Sequence, residues 1–368
     1  MKFSVLYLLL LPVAVVPTFV PPSLGPTEQK VHGKSFDRFI QIWLENTDFE
    51  TANATAEFQK LASQGILLDQ YFALTHPSEP NYVAGVAGDF WGMANDGFFA
   101  IPSNISTIVD LLDTKDISWA SYQENAPADG FTGFSFASVN YLSPGAPPRT
   151  FYVRKHNPLI IYDSVATVPS RAARIRNFND FAADVNASAI PQWLFVTPNL
   201  VNDGHDTDMT FTSAWLEFWL EPLLTDRRFN DEHTLILLTF DENETKGTNN
   251  RIWAALLGGA IPKHLHGTTD STFYTHYSAL STVQANWGLG SLGRFDTDKI
   301  LANVYAPVAD AVGFKNTDVP PSAVPLLNQS GTTPGPLNPN PALFAPFPPP
   351  DTSAVGAGGG PVFVPSGN

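Results

Sequence analysis

The sequence contains no cysteine. This absence excludes cysteine nucleophiles, cysteine-based zinc sites, redox motifs and disulfides, so a secreted domain of this kind must rely on its hydrophobic core. The chain has 368 residues and is 43% hydrophobic, which is enough for a large core. Basic residues are also few: 20 Lys and Arg stand against 35 Asp and Glu, a formal net charge of −15. Nucleic acid is therefore not an expected partner, because phosphate backbones require a basic surface.

Long apolar runs are absent beyond the N-terminus. Residues 3–16 follow Lys2 and form a short apolar run that Pro12 interrupts. One positive charge and an apolar run of this length are typical of a secretory signal peptide rather than a membrane span. We predict a signal peptide over 1–20, a propeptide or linker over 21–35, and a secreted, extracellular protein with no membrane span.

Five Asn-x-Ser/Thr sequons agree with secretion. They lie at Asn53, Asn104, Asn186, Asn243 and Asn328. Together with the signal peptide they predict a surface glycoprotein. Asn243 stands apart because it lies inside a candidate site, where it could stay unmodified.

Between residues 36 and 316 the sequence alternates β-rich apolar runs with stretches of helical composition. The predicted strands cover 39–44, 117–122, 193–196, 233–240 and 252–258, and the predicted helices 50–63, 83–87, 104–113, 174–186, 210–224 and 277–286. Such alternation predicts one α/β domain with a mostly parallel central sheet and helices on both faces. In sheets of this kind, functional sites form at the carboxyl ends of the strands.

Two segments depart from that alternation. Residues 123–170 are rich in Pro, Gly, Ser and aromatic residues and have no clear period, which predicts a long excursion able to wall a site. Residues 317–368 are dominated by Pro, Gly, Ser and Ala, with few side chains able to form a core. We predict a Pro/Gly-rich, largely disordered tail there.

The stretch from Thr75 to Tyr82 places a single serine, Ser78, between prolines at the start of a predicted helix. Pro80 is tolerated in a first helical turn, where its missing N–H had no intrahelical partner. Ser78 would then lie near the N-cap, beside unpaired backbone N–H groups and the positive end of the helix dipole. A serine hydroxyl and a phosphate can share such a pocket, although an isolated Ser-x-Pro is more often a plain cap.

Three polar clusters follow predicted strands: Glu45-Asn46, residues 202–206 (NDGHD), and Asp241-Glu242-Asn243. Any one of them could be only a turn or a helix cap. If Glu45, Asp241 and Glu242 converge, their charges repel and raise their pKa values. A divalent metal ion would remove this repulsion, and ligation by oxygen atoms favours Ca²⁺ or Mg²⁺.

Histidines are sparse, eight in all, and the candidates are His76, His205 and His276. A lone histidine in a polar turn is more often structural than catalytic. His205 is the strongest candidate, because imidazole among Asp203 and Asp206 suits proton transfer to a leaving group or metal ligation. The chain has no Gly-x-Ser-x-Gly elbow, no His-Glu-x-x-His helix and no P-loop.

Five motifs in order carry a family resemblance. They are Leu44-Glu45-Asn46, residues 76–82 (HPSEPNY), Thr197-Pro198-Asn199-Leu200 with residues 202–206, Thr239-Phe240-Asp241-Glu242, and Thr275-His276-Tyr277-Ser278. The set resembles the phosphoesterase family of the alkaline-phosphatase-like superfamily, which holds bacterial phospholipases C and secreted fungal acid phosphatases. The resemblance covers about residues 36–315 and is strongest to the fungal acid phosphatases. It implies an alkaline-phosphatase-like three-layer sandwich.

The resemblance also implies roles for individual residues. Ser78 would be the nucleophile, passing through a phosphoserine, and His205 and His276 would face the leaving group. Asn81 would bind a phosphate oxygen, and His76 would support the substrate pocket. The implied metal ligands are Glu45, Asn46, Ser78, Asp241 and Glu242. Two-zinc relatives carry an aspartate where this chain has Asn199, so we expect one divalent ion, Ca or Mg in preference to Zn.

These observations predict a secreted, metal-dependent acid phosphatase that hydrolyses small-molecule phosphate monoesters. One alternative is a phospholipase C or another phosphodiesterase acting with the same site. The alternative from another class is a non-catalytic secreted glycoprotein with a structural cation site.

Overall fold

A computed structural model describes residues 30–365. The predicted signal peptide and residues 21–29 of the predicted linker lie outside the described residues. The strands are β1 Arg38–Leu44, β2 Ile66–Phe72, β3 Trp119–Gln123, β4 Ser135–Ser138, β5 Arg149–Val153, β6 Ile175–Arg176, β7 Trp193–Thr197, β8 Thr234–Phe240, β9 Arg251–Leu257, β10 Thr268–Asp270 and β11 Tyr274–Thr275. The helices are α1 Phe49–Asn53, α2 Ala56–Ser63, α3 Ser78–Ala87, α4 Ile108–Asp113, α5 Asp163–Ala166, α6 Pro169–Ala172, α7 Phe178–Asn186, α8 Met209–Thr225, α9 Tyr277–Trp287 and α10 Ala306–Val312.

A mixed, mostly parallel sheet forms the centre of the molecule. Its order is β10-β2-β9-β8-β1-β7-β3-β6, with β11 paired to β2. Strand β9 runs antiparallel to both of its neighbours, β8 and β2, whereas the other pairs are parallel. Strands β1 and β8 lie at the centre and are buried along nearly their whole length, as expected for parallel strands covered on both faces. The predicted α/β fold is confirmed.

Helices cover both faces of this sheet. Leu44 of β1 is paired with Phe240 of β8, so these two side chains share a face and Trp43 points to the other. Phe58 of α2 packs against Phe240, with ring centroids 5.6 Å apart. Tyr82 of α3 packs against Trp43 at 5.1 Å. Helices α2 and α3 therefore lie on opposite sides of the sheet and complete three layers.

Sequence periodicity missed one central strand, β2. Its residues Ile66–Phe72 include Asp69 and Gln70, which interrupt the apolar pattern. The pairing of β2 with β9 shifts register between Leu68 and Tyr71, so the strand is irregular at that point. A β-bulge of this kind moves side chains off strict alternation, which is why no period-two signal is visible.

The two ends of the described chain are attached to the domain. Val31, in the predicted linker, donates its N–H to Gln192 Oε1 at 2.9 Å and accepts from Gln192 Nε2 at 2.7 Å. In the Pro/Gly-rich segment, Leu337 N donates to Trp91 O at 3.1 Å and Phe363 N donates to Ser291 O at 2.8 Å. This differs from the expectation of a largely disordered tail, because backbone groups can bond to the domain without forming regular elements.

Within residues 30–365, no helix combines the length and the apolar composition that crossing a bilayer requires.

Candidate active site

Two of the predicted clusters meet at the carboxyl ends of the central strands. Glu45 and Asn46 follow β1, and Asp241 and Glu242 follow β8, its parallel neighbour. The backbone N–H of Asp241 donates to Leu44 O at 2.9 Å, which continues the ladder past the strand ends. Asn46 donates its backbone N–H to Asp241 Oδ1 at 3.2 Å and its side-chain amide to Glu242 Oε1 at 3.1 Å. The sheet therefore brings these four residues together, as predicted.

Ser78 faces this cluster from the first turn of α3. Its hydroxyl donates to Glu45 Oε2 at 3.1 Å. Helix α3 begins at Ser78 after a cis peptide bond between His76 and Pro77, and every residue of the helix is buried. The other oxygen of Glu45 accepts from the Tyr82 hydroxyl at 2.5 Å, one turn further along α3. The serine is thus held at a buried helix N-terminus opposite the carboxylates.

The residues present fit a hard cation. Asn46 Oδ1 and Asp241 Oδ2 are both buried and have no hydrogen-bond partner. Buried oxygen atoms without a partner are costly, and those of an amide and a carboxylate are the ligand atoms that Ca²⁺ or Mg²⁺ prefers. Ser78 Oγ and a Glu45 oxygen face the same cluster. These atoms form a suitable donor set for one divalent ion.

Electrostatics at the cluster agree with this fit. Burial raises the pKa of Asp241 well above its usual range, and the charges of Glu45 and Glu242 raise it further. Burial also raises the pKa of Glu242, although His76 Nδ1, 2.8 Å from Glu242 Oε2, opposes this rise. Burial disfavours charge on Glu45 too, but contact with His156 outweighs it and holds the pKa of Glu45 at about 2. Unpaired buried carboxylates repel, and a cation relieves that repulsion.

His156 is a site residue that sequence reasoning missed. Its Nε2 lies 3.1 Å from Glu45 Oε1 and its Nδ1 lies 3.6 Å from Asp203 Oδ2. Among the described residues, Glu45, His156 and Asp203 are the acidic and histidine side chains whose ligand atoms lie within 4.8 Å of one another, a buried group able to hold a cation. His156 comes from the 123–170 excursion, which has no periodicity. The only signal was the prediction that this segment walls a site.

His205 lies at the more open side of the cluster. Its Nδ1 is 2.9 Å from Asp206 Oδ1, and its backbone N–H donates to Asp203 Oδ1 at 2.9 Å. The ring centroid is 5.8 Å from that of His156, and the side chain is 32% exposed. Asp206 engages Nδ1, and Nε2 lies 3.5 Å from Lys155 Nζ on the partly exposed side of the ring.

His276 differs from the implied leaving-group role. The side chain is buried, its Nε2 lies 2.7 Å from Asp241 O, and its ring stacks on Trp43 at 4.1 Å. Burial lowers the pKa of His276 to about 3. The imidazole is therefore neutral at mildly acidic pH, and its contact with the backbone oxygen of Asp241 supports the loop that follows β8.

Asn81 and Asn199 both support loops in this structure. The side-chain oxygen of Asn81 accepts the backbone N–H groups of Leu74 and Thr75 at 2.9 and 3.2 Å, and its amide nitrogen donates to Thr75 O at 2.9 Å. The amide nitrogen also lies 3.4 Å from Glu242 Oε2, so Asn81 joins the loop before Ser78 to the cluster. Its contact with a phosphate oxygen stays a prediction. Asn199 Oδ1 likewise accepts from Val201 N and Asn202 N.

The five sequons differ in exposure. Asn104 and Asn186 are exposed, and Asn53 and Asn328 are partly so. Asn243 is 3% exposed, and its amide nitrogen donates to Asp48 Oδ1 at 3.1 Å and to Thr245 O at 2.9 Å. The folded protein therefore offers no free acceptor amide at Asn243.

Comparisons with known proteins agree with this geometry. The sequence model of the Phosphoesterase family matches residues 26–290. An acid phosphatase of Aspergillus fumigatus is 50% identical over 84% of this chain and 66% of its own length. A phosphate-repressible acid phosphatase of Penicillium chrysogenum is 49% identical over 84% and 71%. The chain thus spans about two thirds of the length of these relatives.

One more distant sequence relative and one solved structure are also similar to this chain. A phosphatidylinositol-3-phosphatase of Mycobacterium tuberculosis is 30% identical over 66% of this chain and 73% of its own length. The crystal structure of a putative sulfatase from Bacteroides thetaiotaomicron superposes with a TM-score of 0.51 at 10% identity, over 76% of this chain and 75% of that one. The two chains share this mixed α/β fold with its mostly parallel central sheet. With the family match covering most of the chain and its motifs meeting in one cluster, this protein belongs to the Phosphoesterase family.

Proposed function

We propose that this protein is a secreted acid phosphatase, a phosphoric ester hydrolase that cleaves small-molecule phosphate monoesters through Ser78. The observation that carries the proposal is the position of Ser78, whose hydroxyl lies 3.1 Å from Glu45 in a buried carboxylate cluster at the N-terminus of α3. The names of the two fungal relatives supply the reaction class. Secretion rests on the sequence alone.

One divalent ion, Ca or Mg in preference to Zn, is proposed to bind Glu45, Asn46, Ser78, Asp241 and Glu242. When bound, such an ion lowers the pKa of the serine hydroxyl and neutralises charge on phosphate oxygens. Glu242 is held in place by Asn46 and by His76, and Asp241 by the backbone N–H groups of Asn46 and Glu242. These contacts orient the ligands before any ion arrives.

The proposed reaction has two displacements at phosphorus. Ser78 Oγ forms a bond to phosphorus while the bond to the leaving-group oxygen breaks, and Glu45 Oε2 is the nearest acceptor for the serine proton. Protonated His205 gives a proton to the departing oxygen, which favours mildly acidic pH. Water then attacks the phosphoserine and yields its proton to His205. The bond from Ser78 Oγ to phosphorus breaks, Oγ takes its proton back from Glu45, and phosphate is released. The backbone N–H groups at the start of α3 favour the negative charge of the phosphoryl group.

The test compares substrates and variants. The purified protein is assayed with p-nitrophenyl phosphate, bis(p-nitrophenyl) phosphate and phosphatidylcholine. Ser78→Ala should lower monoester turnover at least about 10³-fold, because the nucleophile is lost. Ser281→Ala is the matched control: this serine is also buried, but it donates to Ser278 O and Asn303 O, away from the cluster.

Three results would contradict the proposal. Retained activity in Ser78→Ala would refute the nucleophile. Dominant turnover of the diester or of phosphatidylcholine by the wild type would favour the phosphodiesterase alternative. A folded wild type without esterase activity would favour the glycoprotein with a structural cation site.

A further inference from the structure

We propose that Lys155 is an additional substrate-binding residue, which selects phosphate monoesters over diesters. The inference rests on the proposed function, and it concerns a residue outside the implied site. Lys155 follows β5 in the 123–170 excursion and directly precedes His156. Its side chain is 16% exposed, and Nζ lies 3.0 Å from Asp96 Oδ2 and 3.5 Å from His205 Nε2.

Asp96 fixes Lys155 relative to the nucleophile. While Oδ2 pairs with Lys155, Asp96 Oδ1 accepts the backbone N–H of Glu79 at 3.0 Å. Glu79 is the residue after Ser78 in the first turn of α3. One carboxylate therefore links the lysine to the start of the helix that carries the serine. Lys155 is thereby linked through Asp96 to the residue after Ser78 and lies 3.5 Å from His205 Nε2.

The negative charge around the site explains why a positively charged side chain is needed there. The side chains nearest the site are largely acidic: Glu45, Asp96, Asp203, Asp241 and Glu242. Burial opposes the charge of Lys155, but Glu45 and Asp96 outweigh it and raise its pKa, so the group stays protonated. A phosphate ester entering such a site needs positive charge to offset these carboxylates.

Arg154, the residue before Lys155, does not supply that positive charge. The guanidinium nitrogens of Arg154 donate to backbone oxygens of Thr132, Phe99 and Ile160, at 3.3, 3.0 and 2.8 Å. Arg154 thus secures the loop through three bonds to backbone oxygens. Lys155 donates to Asp96, and because an ammonium group has three N–H donors, it can also donate to a substrate oxygen.

Selection follows from the number of unesterified oxygens. A monoester presents three non-bridging oxygens, over which charge spreads in the transition state, whereas a diester carries a carbon substituent on one of them. A charged donor near the phosphoryl group stabilises negative charge on the additional non-bridging oxygen of a monoester. It does not stabilise an esterified oxygen, which carries no such charge. The rival explanation is that Lys155 serves only as the partner of Asp96 and anchors the loop.

Lys155→Met tests this directly. We expect kcat/KM for p-nitrophenyl phosphate to fall by about 10²–10³, the usual cost of losing one transition-state donor. For bis(p-nitrophenyl) phosphate the fall should be much smaller, so the monoester-to-diester ratio drops at least about tenfold. Lys60→Met is the matched control, because Lys60 is also a paired lysine but bonds to Glu57 and Glu221 on the domain surface.

Phosphate binding gives a second readout that needs no turnover. Inorganic phosphate should raise the Tm of the wild type and of Lys60→Met, and raise that of Lys155→Met far less. Lys155→Gln, which keeps a polar contact to Asp96, serves if the methionine variant does not fold. Equal losses on both esters, or unchanged stabilisation by phosphate, would overturn the role of Lys155. A wild type inactive on every ester refutes the proposed function instead, and the phosphate-induced Tm shift still decides whether Lys155 binds phosphate.

Discussion

His205 and His276 have the same side chain and very different surroundings. His205 is partly exposed, with Nδ1 engaged by Asp206 and Nε2 turned toward Lys155. His276 is buried against Trp43, and Nε2 lies against Asp241 O. Burial opposes charge on an imidazole and lowers the pKa of His276 to about 3, so His276 is not suited to give a proton to a leaving group at mildly acidic pH. This separates two roles that sequence motifs left equivalent.

At the residue scale we therefore predict opposite kinetic signatures. His205→Asn should lower kcat/KM by about 10²–10⁴ for alkyl phosphates, whose leaving oxygen needs a proton, and less for p-nitrophenyl phosphate. His276→Asn should leave this leaving-group dependence intact and lower stability by about 2–4 kcal/mol, because a buried stacked ring is lost. Rates on a series of leaving groups and thermal unfolding of both variants measure this. A steeper leaving-group dependence in His276→Asn would contradict the assignment.

The helix that carries the nucleophile lies unusually close to the sheet. A Cβ added at Gly85 of α3 would lie 2.7 Å from Cη2 of Trp43 in β1, closer than such contacts occur. Glycine in a helix interior usually costs about 1 kcal/mol relative to alanine. Here the missing side chain lets α3 approach β1, so that Ser78 reaches Glu45 at the end of that strand.

At the scale of this element, Gly85→Ala should destabilise the protein by about 1–3 kcal/mol and also lower kcat, because relief of the overlap moves α3 and with it Ser78. Denaturant unfolding and monoester kinetics measure the two effects. In a double-mutant cycle with Trp43→Phe, which removes the overlapping ring, the effects should not add. A Gly85→Ala variant more stable than the wild type, as in an unconstrained helix, would be the opposite of this expectation.

The 123–170 excursion acts as one element despite its irregular sequence. Its hairpin pairs β4 with β5, and Leu200 N donates to Phe151 O of β5 at 3.0 Å. This contact fixes the end of β5 beside the loop that carries Asp203 and His205. The residues that follow, Lys155 and His156, are thereby placed at the cluster. A segment predicted only to wall the site thus contributes side chains to it.

At the scale of the whole molecule, the C-terminal segment closes over surfaces that the α/β domain leaves uncovered. The ring of Phe347 packs edge-on against Trp91 at 5.3 Å, and Gly360 N donates to Leu289 O at 3.1 Å. Trp91 lies after α3, and Leu289 follows α9, so the segment covers the ends of two helices next to the sheet. These contacts are far from the carboxylate cluster in sequence and involve none of its residues.

Truncation after Asp318 should therefore lower the free energy of unfolding by about 2–5 kcal/mol, because two or more apolar side chains lose their cover, while kcat on monoesters changes little. Thermal unfolding, dye binding to exposed apolar surface and steady-state kinetics measure this. Truncation after Val364 is the control that leaves these contacts in place. An unchanged Tm in the longer truncation would instead support the disordered tail predicted from composition.

The fold class could be predicted from the sequence, and so could the convergence of the carboxylates that follow β1 and β8. Apolar runs such as 233–240 predicted the strands, and the ordered motifs predicted the site. Both signals depend only on residues that are close in the sequence. The meeting of Glu45 with Asp241 followed from a general rule of parallel sheets. The sequence pattern did not predict strand β2, because a bulge interrupts the alternation of apolar and polar residues.

Long-range packing determines which side chains share the cluster and how deeply each is buried. His156 and Lys155 are brought to Glu45 and Asp96 from a segment without periodicity, by long-range packing that no local pattern encodes. The contrast between His205 and His276 is likewise a matter of burial, and burial is a property of the folded chain. Composition predicted what the Pro/Gly-rich segment cannot form, but only the fold shows where its backbone groups find partners.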